Sequence, residues 1–170
     1  MTNRLVAPFV LLFALVGPAS AVPITLQFSA SGFPAGAPQA LVTGTIVWEA
    51  ASVTAPIGSL TSIDLTIDGH IYSLAEVGFL DVGGGVTTIG GIINGPNGWG
   101  PGTNDFFMFY RPTTSALEGF VYATANNLSN TFGTTNIQSS VTATHVPEPA
   151  TLALLGLGIA GLVASRRRKR

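Results

Sequence analysis

The segment SIDLTIDGHIYSL, from Ser62 to Leu74, constrains the fold more than any other stretch of the chain. Its centre, Asp68-Gly69, supplies two residues that tolerate positive φ, the pair that a two-residue type I′ hairpin turn requires. Such a turn fixes the register: Ile67 faces His70, Leu65 faces Tyr72 and Ile63 faces Leu74. Directly opposed residues share a sheet face. Ile63, Leu65, Ile67, Tyr72 and Leu74 therefore form one apolar face, while Asp64, Thr66 and Ser73 occupy the other, with Ile71 as the exception. Turn chemistry and hydrophobic alternation agree on an antiparallel hairpin.

The same period of two recurs elsewhere. Ile24, Leu26, Phe28 and Ala30 alternate with Thr25, Gln27 and Ser29, and Leu41 to Trp48 is rich in β-branched residues. Further strands are expected at Val86 to Ile93, Phe106 to Arg111, Gly119 to Ala125 and Ser139 to His145, separated by Gly, Pro, Asn and Asp. No segment between the two ends has sustained helical periodicity. The expected fold is all-β: an antiparallel sandwich or jelly-roll-like body of about seven or eight short strands.

The ends follow different rules. Residues 1–21 carry Arg4, an apolar stretch from Leu5 to Val16, a Gly17-Pro18 break, and small residues at Ala19 and Ala21, the layout of a signal peptide cleaved after Ala21. At the other end Ala150 to Ser165 is apolar, about 24 Å long as a helix against a hydrocarbon core of about 30 Å. Arg166, Arg167, Arg168, Lys169 and Arg170 follow it as a stop-transfer cluster that the positive-inside rule keeps in the cytoplasm. Gly156, Gly158 and Gly161 spell a dinucleotide-binding pattern, but without the preceding strand and following acid that its mechanism needs.

Charge and cysteine content narrow the chemistry of residues 22–146. One cation, Arg111, stands there against seven carboxylates, which leaves −6 with His70 and His145 neutral. Such a surface repels phosphate backbones and excludes nucleic acid as a partner. The chain has no cysteine, so disulfides, thiolate metal sites and cysteine nucleophiles are all excluded. No metal site or cofactor is expected. Asp64, Thr66 and Asp68 imitate the opening of a calcium loop, but Ala75 stands where the closing carboxylate belongs. His70 lacks a nucleophile motif around any serine, and nothing in the sequence brings two carboxylates together for glycoside hydrolysis. No catalytic residue is therefore assigned. Thr43/Thr45 and Thr142/Thr144 each share a strand face, as on some ice-binding surfaces, but no repeat extends them into an array.

One loop is distinctive: NGPNGWGPGTND, from Asn94 to Asp105. Trp99 either offers a flat face to a sugar ring or folds back over the end of the sandwich. In the first case Asn97, Asn104 and Asp105 are the polar groups expected to meet sugar hydroxyls.

Pro147, Glu148 and Pro149, the apolar helix and the terminal basic cluster together resemble the PEP-CTERM sorting signal of Gram-negative bacteria, a segment type also labelled after ice-binding proteins. The resemblance covers residues 147–170. It implies that an exosortase in the inner membrane recognises the Pro-Glu-Pro region and removes the helix and basic tail, after signal peptidase has acted at the other end. It also implies a precursor anchored in the inner membrane with its body outside the cytoplasm, and a mature form at the cell surface or in extracellular polysaccharide. The expectation is a non-enzymatic exported protein of 22–146 flanked by two processed segments. A carbohydrate-binding module is the alternative, with glycoside hydrolase and ice-binding protein behind it.

Overall fold

The computed structural model describes residues 21–91, 100–144 and 155–159. Ten strands occur in chain order: β1 (Val22–Ser31), β2 (Leu41–Ala50), β3 (Ser59–Ile67), β4 (His70–Ile71), β5 (Val77–Gly83), β6 (Val86–Gly91), β7 (Asp105–Arg111), β8 (Ala116–Ala123), β9 (Phe132–Thr134) and β10 (Ile137–Ala143). They form two five-stranded sheets, ordered β10-β1-β2-β3-β4 and β5-β6-β7-β8-β9, with every pairing antiparallel. The body is thus all-β, as the alternation predicts. Each sheet is a meander of consecutive hairpins, and only β10 crosses from the second sheet to the first, so the connectivity is not that of a jelly roll.

The Asp68-Gly69 turn has both residues at positive φ, 50° and 79°, and Ile67 pairs with His70 as the turn chemistry dictates. The amide of Tyr72 donates to the carbonyl of Leu65 at 3.0 Å. The ladder then ends early. Leu74–Glu76 turns into a 3-10 helix closed by a capping box between Ser73 and Glu76, so Leu74 is exposed and does not face Ile63. Two strands fall outside the sequence expectation: β5, whose glycines weaken its alternation, and the three-residue β9.

Inward residues of the two sheets share one core. Phe28 meets Phe120 at 5.4 Å between ring centroids, Trp48 meets Tyr110 at 5.1 Å, and Tyr72 meets Phe106 at 4.9 Å; each pair joins one sheet to the other. Such pairs add about 0.5–1.5 kcal/mol each beyond the area they bury. The loop between β1 and β2 is fastened to the second sheet by Tyr122, whose hydroxyl donates to the Gln39 carbonyl at 2.8 Å and accepts from the Gln39 amide at 3.1 Å. Phe33 closes the same corner, edge-on to Tyr122 at 5.0 Å.

Gly44 makes room for the Phe28 ring. A Cβ there would stand 2.8 Å from one ring carbon of Phe28 and 3.1 Å from a methyl of Leu65. Gly44→Ala is therefore expected to destabilise the body by about 1–3 kcal/mol, the range for overpacking a filled core. Urea denaturation checks this, with the exposed neighbour Thr43→Ala expected to leave the midpoint unchanged.

Candidate functional site

The described chain offers three regions where function could reside: the approach to the C-terminal segment, the flanks of the 92–99 loop, and the outward face of the first sheet.

At the first, β10 ends at Ala143, and the amide of Thr144 donates to the carbonyl of Pro23 at 2.9 Å, fixing the last body residue to the first strand. Pro147, Glu148, Pro149, Ala19 and the basic residues 166–170 lie outside the described residues. Residues 155–159 are α-helical, with Leu155 and Leu157 exposed. Among the described residues no helix is long and apolar enough to cross a membrane.

At the second, Asn97 and Trp99 also lie outside the described residues, but Asn104 and Asp105 do not. Asn104 is partly exposed and Asp105 is buried. The Asn104 side-chain oxygen accepts the amide of Ala125 at 2.9 Å, which ties the loop to the end of β8. Asp105 is fully buried; its carboxylate accepts the Phe106 amide at 3.0 Å and lies where a Cβ on Gly91 would collide with it. Tyr72 packs nearby with its hydroxyl buried and no hydrogen-bond partner among the described residues. Burial first, then the negative charges of Asp105 and Glu76, push that phenol well above its usual range.

His70 and Glu76 stand at the rim of this end. Their side chains approach to 3.2 Å, and the His70 ring lies edge-on to Tyr72 at 4.7 Å. Glu76 is committed to the turn as well, accepting from the Ser73 hydroxyl at 2.7 Å and the Ser73 amide at 2.9 Å. Those hydrogen bonds from Ser73, followed by the His70 charge, hold its carboxyl below the usual range. The body's single cation is also structural: Arg111 grips Glu118 through two nitrogens at 2.6 and 3.1 Å and donates to the Gly84 carbonyl at 3.1 Å. Asp64 and Thr66 point outward from β3 while Asp68 sits in the turn. Among the described residues no group of three or more His, Cys, Asp or Glu gathers as metal ligands would.

The third region was not legible as a unit in the sequence. Across the first sheet, Ser140, Gln27, Thr45 and Asp64 stand in one cross-strand row, with Gln138, Ser29 and Thr43 in the next. A third row runs Thr142, Thr25, Val47 and Ser62. The face is almost wholly hydroxyl and amide, because alternation sends every large apolar side chain of β1 and β2 except Val47 and Leu41 inward. A shallow depression of about 510 Å³ lies on it, lined by Gln27, Gln39, Thr43, Thr45, Asp64 and Thr66. Gln39 forms its wall, donating to the Leu41 carbonyl at 2.8 Å and accepting the Asp68 amide at 2.6 Å. The opposite outward face is different in kind: Leu80, Val82 and Phe109 are exposed there, with Phe109 edge-on to Phe107 at 4.6 Å.

The fold defines an all-β body of two antiparallel sheets whose last strand ends at Ala143. Residues 145–169 match the PEP-CTERM protein-sorting motif. The chain therefore carries a PEP-CTERM sorting domain, which indicates exosortase-type sorting of an exported protein from a membrane-anchored precursor. The sequence matches no curated protein.

Glu76 and Glu118 are both held below the usual carboxylate range, chiefly by hydrogen bonds from Ser73 and Arg111 respectively. A carboxyl lowered in the folded state contributes stability above its unfolded value, near pH 4, and loses it as pH falls through the folded value. The melting temperature is therefore expected to hold from neutral pH to about pH 5 and to fall below about pH 4. Thermal unfolding of Glu76→Gln across that window should show a shallower acid-side drop.

Proposed function

We propose that this chain is a non-enzymatic component of the cell surface or extracellular polysaccharide matrix, delivered there by removal of its C-terminal helix and basic tail. The observation that carries this reading is the sorting motif at residues 145–169, joined directly to the last strand of a folded body. The absence of catalysis is supported by how the reactive groups are employed. His70, Glu76, Arg111 and Glu118 each serve a turn or an ion pair, and Asp105 is enclosed. Signal peptidase acts after Ala21, immediately before β1 begins at Val22, and the exosortase acts at Pro147, Glu148 and Pro149. Glu148→Ala is expected to leave the precursor in the inner membrane, while Arg166→Ala loosens its orientation or retention. Mass spectrometry of the surface-exposed protein is the direct check, and an intact C-terminus at Arg170 rules processing out.

A carbohydrate-binding role finds support in the outward face of the first sheet, while Trp99 and Asn97 lie outside the described residues. The depression on that face is lined by neutral hydroxyls and amides, which both donate and accept, beside one carboxylate. Its volume lies in the range of small-molecule sites, roughly 300–1,000 Å³. The body's −6 charge disfavours acidic polysaccharide and leaves a neutral or cationic polymer as the favoured partner, the neutral one matching the hydroxyl-and-amide lining. Glycan-array binding should select neutral glycans. Removing both Gln27 and Thr45 side chains, as Gln27→Ala with Thr45→Ala, should cost about 0.5–1.5 kcal/mol per lost hydrogen bond without lowering the melting temperature. Equal binding of acidic glycans, or an unaffected double variant, defeats this reading.

A further inference from the structure

We propose that the chain pairs with a second copy of itself, edge to edge, through strand β10. A two-sheet body has four edges, and unpaired edge strands are templates for another strand unless something blunts them. Three edges here are blunted. β4 has two residues and β9 has three, and the stretches they leave uncovered, residues 59–65 of β3 and 116–119 of β8, carry the charges of Asp64 and Glu118. β5 is interrupted by a bulge between Asp81 and Gly83, where the Asp81 carboxylate accepts the Gly83 amide at 2.9 Å, and it runs into Gly83, Gly84 and Gly85, all at positive φ.

β10 has none of these devices. Its seven residues contain no proline, glycine or charge, and its ladder with β1 is unbroken from Ile24↔Ala143 to Ala30↔Ile137. Among the described residues β1 is its only ladder partner. Gln138, Ser139, Ser140, Thr142 and Ala143 are exposed, and the hydrogen-bonding groups that alternate away from β1 enter no ladder among the described residues.

Charge selects the occupant. Two bodies of −6 repel unless they meet where no carboxylate stands. Val22 to Trp48 and Gly119 to Thr144 contain no charged residue, and these segments include β1, β9 and β10. The β10 side is thus the neutral flank of an acidic molecule. A charged peptide finds no counter-charge on it, whereas an identical neutral strand, turned by a two-fold axis, is complementary to it by construction. The pairing centres on Ser140, the middle residue of β10, so that Ser140 opposes its own copy and Gln138 opposes Thr142 of the other. The hydroxyl-and-amide faces of the two sheets then become one continuous ten-stranded surface.

The chain's lack of cysteine provides the test, since any introduced thiol is the sole one. Full-length single-cysteine variants at Gln138, Ser140 and Thr142 are expressed with export intact and oxidised, alone and as pairwise mixtures. Gln27→Cys is the control. It lies in the same outward row one strand inward, so edge pairing holds two copies of it about 14 Å apart, three strand spacings, beyond disulfide reach. The expected result is a dominant disulfide dimer for Ser140→Cys and a heterodimer for the Gln138→Cys and Thr142→Cys mixture, with Gln27→Cys remaining monomeric. Cross-linking of Gln27→Cys equal to that of the β10 sites would show face stacking or collision and overturn the proposal, as would the absence of dimer from every β10 combination. Thermal unfolding of each variant confirms that the strand is intact, and Ser140→Lys, which sets two like charges on the axis, should abolish the dimer seen by light scattering of the detergent-solubilised chain.

Discussion

The interdigitation of aromatic side chains between the sheets is the interaction on which the rest depends. With no cysteine, no disulfide joins the first sheet to the second. Phe28 on Phe120, Trp48 on Tyr110 and Tyr72 on Phe106 place one contact on each of three positions across the sandwich, and Met108, Ile46 and Leu65 fill between them without exposure. This core also determines the outer surface. Because period-two alternation gives the inward positions of β1 and β2 to large apolar residues, the outward positions are left to Thr25, Gln27, Ser29, Thr43 and Thr45. The polar face is the reverse side of the packed one.

Local rules were legible where a turn fixed a register. Asp68-Gly69 adopts the two positive φ values that its residue types favour, and the pairing beside it follows. Three residues further the same logic fails. Extending alternation to Leu74 overlooks the capping box available to Ser73 and Glu76, which satisfies the backbone locally and ends the strand. β5 escapes notice for a related reason: Gly78 and Gly83 remove the side chains that alternation would be judged by. The site was less legible than the fold. Asn104 and Asp105 look like surface groups in a polar loop, yet tertiary contacts draw one into a backbone hydrogen bond and bury the other. Conversely, the row Ser140, Gln27, Thr45 and Asp64 joins four strands spread over more than half the chain, and no local pattern announces that their registers align.

The two processing boundaries flank the same pair of strands. β1 begins at Val22, next to the expected signal cleavage, and β10 ends at Ala143, two residues before the sorting motif begins. These strands are neighbours in the first sheet, with seven register pairs between them and the Thr144 amide on the Pro23 carbonyl beyond the last. Loss of either terminal segment removes no ladder pair. Both sheets are thus complete within residues 22–143.

The distribution of charge follows the same division. Every carboxylate of the body falls between Glu49 and Glu118, on or beside β2 through β8, while the strands nearest the two boundaries carry none. The strands that flank the two ends of the body thus form the side on which two acidic bodies meet with the least repulsion.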